Sequence, residues 1–299
     1  MKFLYQYPDM HGIDGDLLDA GPVADVARVA EEAGWSGLSF TEHPAPGRKW
    51  LEAGGHQTLD PFVALAHAAA VTERIKLLTY LAVLPYRNPL VTAKAAATVD
   101  KLSGGRMILG VGTGYQKSEF HALGVDFDER NTLFDEALDV MPMHWSGEPF
   151  SYEGSHFAAR DVIARPRPVQ EPIPIWIGGN AKVTRRRVAE RAQGWMPLTG
   201  PPLMASTVRT PMLDGVVDLA EKIAEVKELA GDRAADLDFA VAYVDLDPTA
   251  PATDATKHAG AFAELEAAGA TWIIVPGATS APPDTYRFLE SFASEYCGS

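Results

Sequence analysis

The segment FTEHP carries two side chains suited to proton transfer, Glu42 and His43, directly after the short apolar run GLSF. Histidine changes its charge near neutral pH, so a histidine at the end of a strand can give or take a proton during a reaction. Three other histidines fall within helical patterns, where packing or solvent exposure explains them: His67, His144 and His258. Position therefore leaves two explanations of His43 open: an acid or base in the reaction, or simple packing against the following loop PAPGRKW.

Two further histidines, His11 and His56, are expected on the same side of the fold. No H-x-H or H-E-x-x-H spacing pairs any of these rings as metal ligands. The sequence therefore predicts no metal site and disfavours a metal-dependent hydrolase.

Glycines surround the apolar run of KLSGGRMILGVGTGY in two sets. Gly104 and Gly105 precede the run, where a helix C-cap and a turn explain them. Gly112 and Gly114 follow it, where glycine either forms a tight turn or lets a planar ligand approach the backbone closely. Both explanations stay open, because the spacing matches neither a dinucleotide fingerprint nor a P-loop.

The segment WIGGNAKV resembles the start of a phosphate site. Gly178 and Gly179 end a predicted strand and lead through Asn180 into a helix. The free amides and the dipole at a helix N-terminus favour a bound phosphate. The arginines two turns further along, Arg185 to Arg187, are expected on a solvated helix face.

Short β-rich runs alternate with longer helical patterns along the chain, which is typical of βα units around a parallel sheet. The predicted strands are KFLYQY, GLSF, IKLLTYLAV, RMILGVG, PIWIGG, GWMPL, LDFAVAYVDL and TWIIVPG, and a helical segment follows each of them. Eight such units in 299 residues match a (β/α)8 TIM barrel better than an open doubly wound sheet. Catalytic groups of a TIM barrel lie at the carboxyl ends of its strands, where the segments above fall.

No shift in composition marks a second domain, so residues 1–299 are expected to form a single barrel. Two connections are longer than usual, at about 146–172 and 199–215, and long connections on a barrel are commonly lids or inserted hairpins. The first has the aromatic pattern of a small hairpin around Glu153 and Gly154, and the second should cover the catalytic mouth. Pro142 is expected to kink or end the helix before the first.

The composition excludes several classes of partner. A formal charge of −14 would repel the phosphates of nucleic acid over most of the surface. The N-terminal apolar stretch is too short for a signal peptide, and no run is long enough to span a bilayer. We therefore expect a cytoplasmic protein with no nucleic-acid or membrane partner. The lone cysteine, Cys297, lies two residues from the end and is given no role.

Several motifs together carry a family resemblance. DKLSGGRMILGVGTGY, EFHALGVDFDERNTLFDEAL, YEGSHF and PIWIGG stand in an order that resembles the luciferase-like monooxygenase superfamily, within its branch of coenzyme F420-dependent oxidoreductases. The resemblance covers about two thirds of the chain, from the first predicted strand to GWMPL. It implies a barrel that holds a deazaflavin (coenzyme F420) or a flavin (FMN) in its mouth.

The resemblance also implies roles for particular residues. FTEHP is similar to the family's acidic–histidine pair, so His43 would move a proton on the reacting substrate oxygen with Glu42 beside it. TYLAVLPYRNP resembles a segment in which relatives carry a non-prolyl cis peptide behind the cofactor ring, here at Tyr80-Leu81. The cofactor-binding residues implied in this way are Thr79, Tyr80, Leu81, Gly112, Thr113, Gly114, Gly178, Gly179 and Asn180, the last three for the phosphate.

Three functions remain open. The first is an F420-dependent oxidoreductase that exchanges hydride with a small organic alcohol, ketone or enone. The second is an FMN-dependent monooxygenase that uses O₂ and reduced flavin from a separate reductase, and the third is a non-catalytic flavin-binding relative. Tyr115 stands where sugar-phosphate dehydrogenases of this group carry a carboxylate, so glucose 6-phosphate is not the expected substrate. Relatives commonly dimerise through barrel helices, so a homodimer is expected.

Overall fold

Eight parallel strands form a closed barrel in the computed structural model of the chain, which describes residues 1–200, 202–247, 250–278 and 281–298. The barrel strands are β1 (Lys2–Gln6), β2 (Gly37–Phe40), β3 (Lys76–Thr79), β4 (Met107–Gly112), β5 (Ile175–Gly178), β6 (Gly194–Met196), β7 (Asp238–Ala242) and β8 (Trp272–Pro276). Each strand pairs with its sequence neighbours, β8 pairs with β1, and β4 pairs with β5 to complete the ring. The predicted (β/α)8 TIM barrel is confirmed.

Eight helices form the outer layer, one after each strand. They are α1 (Val23–Ala33), α2 (Pro61–Ala69), α3 (Pro89–Ser103), α4 (Arg130–Ser146), α5 (Lys182–Arg191), α6 (Gly215–Ala230), α7 (Ala255–Ala267) and α8 (Pro282–Tyr296). Asp60 caps α2 through the Val63 amide, and Gly104 ends α3 with a left-handed φ of +69°. In the described ranges no helix is long and apolar enough to cross a lipid bilayer.

Pro142 does not end its helix, which was one of the two expected effects. α4 runs through Pro142 and ends only at Ser146, where Gly147 adopts φ +67°. The helix lies against α3 and the hairpin, and its buried face includes Leu138 and Met141. Tertiary packing therefore maintains a helix that the proline alone would disfavour.

The barrel interior is filled by apolar side chains from nearly every strand, which form a cluster separate from the larger strand–helix core: Leu4, Leu78, Ile108, Trp176, Met196, Ala240, Trp272 and Ile274. Trp176 and Trp272 meet edge to face with ring centroids 5.4 Å apart. Tyr80 and Leu81 pack on top of this cluster. The cluster is thus the floor of the barrel mouth, and residues just beyond the strand ends form its walls.

Short additional elements shape the mouth and the flanks. The predicted hairpin is confirmed, as strand Phe150–Glu153 pairs antiparallel with strand Ala158–Val162. Strands Met10–His11 and His56–Gln57 also pair antiparallel and join the loops after β1 and β2. Short α-helices lie in the connections after β2, β4 and β6: Arg48–Glu52, Lys117–Ala122 and Pro202–Thr207.

Candidate active site

His43 lies just past the end of β2 and forms a buried pair with a carboxylate from another part of the chain. Its Nδ1 is 2.9 Å from Oε2 of Glu119, and both side chains are largely or fully buried. Because a carboxylate accepts hydrogen bonds, Nδ1 carries a proton and Nε2 is the ring atom that is left to act on another group. The backbone amide of His43 donates to Thr58 Oγ1 at 2.9 Å, which fixes the residue from behind.

Glu119 lies in the short helix Lys117–Ala122 after β4 and has three donors around it. Besides His43, the Tyr86 hydroxyl donates to Oε2 at 2.9 Å and the Ala45 amide donates to Oε1 at 3.1 Å. Glu119 has no solvent exposure. Sequence reasoning missed this residue, although Glu119 was part of the motif EFHALG that carries the family resemblance.

The Nε2 side of His43 faces aromatic groups. The Tyr115 hydroxyl is 3.4 Å from Nε2, and the rings of Trp50 and His56 lie with centroids 4.6 and 4.8 Å from that of His43. Burial and the nearby Glu119 carboxylate raise the pKa of Tyr115, so its hydroxyl stays protonated. This environment keeps water from His43 and leaves Nε2 beside one neutral hydroxyl donor.

Asp9, in the loop after β1, is a second acidic group in this region. Burial raises the pKa of Asp9 to about 6, although hydrogen bonds from Thr41 and Gln6 lower the pKa in part. His56 Nε2 is 3.5 Å from the Asp9 carboxylate, but burial lowers the pKa of His56 to about 3, so its ring is neutral near pH 7. Asp9 was not singled out from the sequence, because nothing in YQYPD indicates burial.

Glu42 and His43 are neighbours in sequence, but their carboxylate and imidazole have different partners. The Glu42 carboxylate accepts from the Val83 amide at 2.7 Å and pairs with the Arg87 guanidinium. Glu42 is almost fully buried, and burial raises its pKa while Arg87 opposes the shift. In this structure Glu42 therefore holds the segment after β3 rather than the ring of His43.

The segment after β3 contains the expected non-prolyl cis peptide, between Tyr80 and Leu81, so this prediction is confirmed. Beyond it, Ala82 and Val83 pair with the last residues of β4. A Cβ at Gly112 or Gly178 would overlap the terminal methyl groups of Leu81, so the two glycines leave room for this side chain in its present position. Leu81 thus forms an apolar shelf across the ends of β4 and β5.

The remaining predicted cofactor residues around β4 have structural partners as well. Thr79 donates through Oγ1 to the Gly110 carbonyl at 2.7 Å and is fully buried. Gly114 adopts φ +79°, and a Cβ there would overlap Val83 and Phe120. Thr113 lies between these positions and is partly exposed at the mouth. Thr79 and the glycines therefore shape the ends of β3 and β4 whether or not a ligand approaches them.

The predicted phosphate segment lies at the start of α5, as expected from the sequence. The Gly179 amide donates to the Met196 carbonyl at 3.2 Å, and the Asn180 amide donates to Thr210 Oγ1 at 2.7 Å. The Asn180 side chain donates to the Leu198 and Pro211 carbonyls and so fastens the connection after β6. The first-turn amides of α5, at 182–184, are the donors that a helix leaves for an anion.

The expectation of a solvated arginine face on α5 is correct for Arg186 and wrong for its neighbours. Arg187 is 3% exposed and makes two bonds of 2.7 Å to Asp135 of α4. Arg185 is 9% exposed and reaches the Asn180 carbonyl at 2.6 Å. These two arginines therefore bind neighbouring parts of the chain. The sequence did not show this, because the pattern of α5 alone does not reveal which of its faces packs on α4 and α6.

A closed (β/α)8 barrel with a histidine–carboxylate pair at the carboxyl ends of its strands has the arrangement of a barrel enzyme. The family model described as luciferase-like monooxygenase matches residues 1–244, and the chain belongs to this family. Members of the family are oxidoreductases or monooxygenases.

Two curated relatives illustrate the range of the family. An uncharacterized protein of Mycobacterium tuberculosis is 34% identical over 186 residues, which is 58% of this chain and 66% of the relative. An F420-dependent glucose-6-phosphate dehydrogenase of Nakamurella multipartita is 30% identical over 231 residues, 74% of this chain and 66% of the relative. Each match therefore spans just under two thirds of the relative's length.

Solved structures share the fold over nearly the whole chain. A monooxygenase from Streptomyces bottropensis superposes with a TM-score of 0.74 at 21% identity and covers 99% of this chain and 98% of its own. An F420-dependent secondary alcohol dehydrogenase in complex with an F420-acetone adduct superposes with a TM-score of 0.74 at 17% identity and covers 98% of this chain and 97% of its own. A long-chain alkane monooxygenase superposes with a TM-score of 0.77 at 14% identity and covers 98% of this chain and 90% of its own. At these identities the likeness concerns the fold alone.

Proposed function

We propose that this chain is an F420-dependent oxidoreductase that exchanges hydride with a small alcohol, ketone or enone, and that His43 transfers the accompanying proton. The observation that carries the proposal is the buried pair His43–Glu119, which leaves Nε2 of a shielded imidazole as the acting atom. A relative that is 30% identical is an F420-dependent dehydrogenase, which supports the choice of cofactor.

The residues at the mouth fit a planar ring that carries a phosphate. Leu81 supplies an apolar surface fixed by the missing side chains at Gly112 and Gly178. The first turn of α5, which begins at Lys182, supplies amide donors and a favourable dipole for the phosphate. A bound deazaflavin would take up or give back a hydride at its ring carbon C5.

The protein's own part is the movement of one proton and the exclusion of water. When an alcohol is oxidised, the carbinol C–H bond is broken with its electron pair leaving as hydride, and the O–H proton passes to Nε2 of His43. In the reverse direction Nε2 returns the proton to the carbonyl oxygen. Glu119 keeps Nδ1 protonated and orients the ring, which makes it a positioning residue. Tyr115 contributes a neutral hydrogen-bond donor next to the same nitrogen.

Titration of the purified chain with F420 and with FMN, followed by ring fluorescence, tests the proposal. We expect F420 to bind more tightly than FMN and to be reduced when a panel of short secondary alcohols is added. Micromolar FMN affinity without detectable F420 binding would overturn the proposal and favour the monooxygenase function.

A further inference from the structure

Three cationic side chains converge on one aromatic ring at the rim of the mouth. Lys117 Nζ lies 4.9 Å from the centroid of the Phe127 ring, and the guanidinium carbons of Arg130 and Arg209 lie 3.9 and 5.3 Å from it. We call this group the Phe127 cluster. Lys117 and Arg209 are exposed and Arg130 is partly buried, so the cations remain accessible from solvent.

The charges of this cluster are not neutralised by carboxylates within the described part of the chain. Among the described residues no ion pair within 4.0 Å involves Lys117, Arg130 or Arg209, whereas all four arginines of α5 have such partners. Asp126 and Asp128 flank Phe127 in sequence and form no ion pair with the three cations. In a chain of net charge −14, three unpaired cations around one ring make a local positive site.

The cluster lies on the same side of the mouth as the start of α5. Lys117 begins the short helix after β4, Arg130 begins α4, and Arg209 lies in the connection after β6. Arg209 is followed by Thr210, whose Oγ1 accepts a hydrogen bond from the Asn180 amide just before α5. The three cations therefore lie in the connections after β4 and β6, on either side of β5 and of the α5 N-terminus, where the cofactor phosphate is proposed to bind.

We infer that the Phe127 cluster binds the oligoglutamate tail of the deazaflavin cofactor through its carboxylates. This inference rests on the proposed function. The tail follows the phosphate outward from the barrel, carries several negative charges, and would meet the cations at the rim. Phe127 fixes the cations near one another by cation–π contacts, so that they are ordered before the tail arrives.

The test compares a double variant, Lys117→Gln with Arg209→Gln, with the parent. Arg130 is left unchanged because it also donates to the Phe127 carbonyl. The matched control replaces two exposed cations far from the mouth, Lys101→Gln with Arg160→Gln. Dissociation constants are measured by fluorescence for F420 and for a tail-less form of the cofactor that keeps the phosphate and lacks the glutamates, at about 20 mM and about 500 mM salt.

We expect the double variant to bind F420 about 5- to 20-fold more weakly than the parent at low salt, since each exposed ion pair contributes modestly. The loss should disappear at high salt, and the tail-less compound should bind the parent and both variants within about twofold. Equal F420 affinity of the double variant and the parent overturns the tail site while the proposed function stands. If the parent binds neither deazaflavin, the proposed function fails together with the tail site.

Discussion

Replacing Glu119 with glutamine tests whether this carboxylate controls the chemistry of His43. Three donors meet the two oxygens of Glu119, from His43, Tyr86 and Ala45. An amide offers only one oxygen, so at least one donor faces an N–H group, which costs about 1–3 kcal/mol of folding stability for a fully buried group. The hydrogen bond from His43 also becomes a bond to a neutral group, so its net contribution falls from about 1.5–3 to about 0.5–1.5 kcal/mol. The difference of about 1–1.5 kcal/mol corresponds to a rate loss of about 5- to 13-fold.

Single-turnover hydride transfer with saturating cofactor is the assay. We expect the Glu119→Gln variant to be slower by this factor, because the amide holds the imidazole of His43 less firmly than the carboxylate does. Cofactor affinity should change less than about threefold.

Glu136→Gln is the matched control. Glu136 is a buried carboxylate that accepts the amides at 155–157 of the hairpin, far from His43. It should lower stability and leave the rate of hydride transfer close to that of the parent. A Glu119→Gln variant whose rate matches that of Glu136→Gln would refute the positioning role.

Two further predictions concern stability. Asp9→Asn should raise the free energy of unfolding at pH 8 by up to about 3 kcal/mol, because burial raises the pKa of Asp9 to about 6 and the native state must bear the buried charge above that pH. This gain in stability should shrink between about pH 6 and pH 4 and vanish below pH 4. Urea unfolding measures it, and a gain that does not change with pH would count against the prediction. Arg87→Met should destabilise the protein by about 3–5 kcal/mol, because it leaves the buried Glu42 carboxylate without its cation. Adding Glu42→Gln should restore part of that stability, and thermal unfolding of both variants measures the effect.

The barrel could be predicted from the sequence because its determinants are local. Apolar periodicity, Asp60 before Pro61, and glycines such as Gly34 and Gly104 at helix ends each act within a few residues. All eight predicted strands are present in the structure, with ends shifted by a few residues. The position of the cis peptide followed from the family resemblance of TYLAVLPYRNP, since no local pattern specifies it.

The partners of the candidate site could not be predicted in the same way. His43 and Glu119 are 76 positions apart in the chain, and their contact depends on how the connection after β4 folds back over β2. Glu42 was paired with His43 because FTEHP resembles the family's acidic–histidine pair. Successive residues beyond a strand point in different directions, and the Glu42 carboxylate pairs with Arg87 instead. The partners of His43 and of Glu42 are therefore both set by packing between distant parts of the chain.

The central claim is that His43 transfers a proton while the rest of the mouth holds the cofactor. It is tested most directly by single-turnover hydride transfer in His43→Ala with the cofactor saturating. The account predicts a rate about 10² to 10⁴ lower than that of the parent, with cofactor affinity nearly unchanged and little rescue by His43→Asn, which cannot accept a proton. A His43→Ala rate within about threefold of the parent in a well-folded variant would contradict the account.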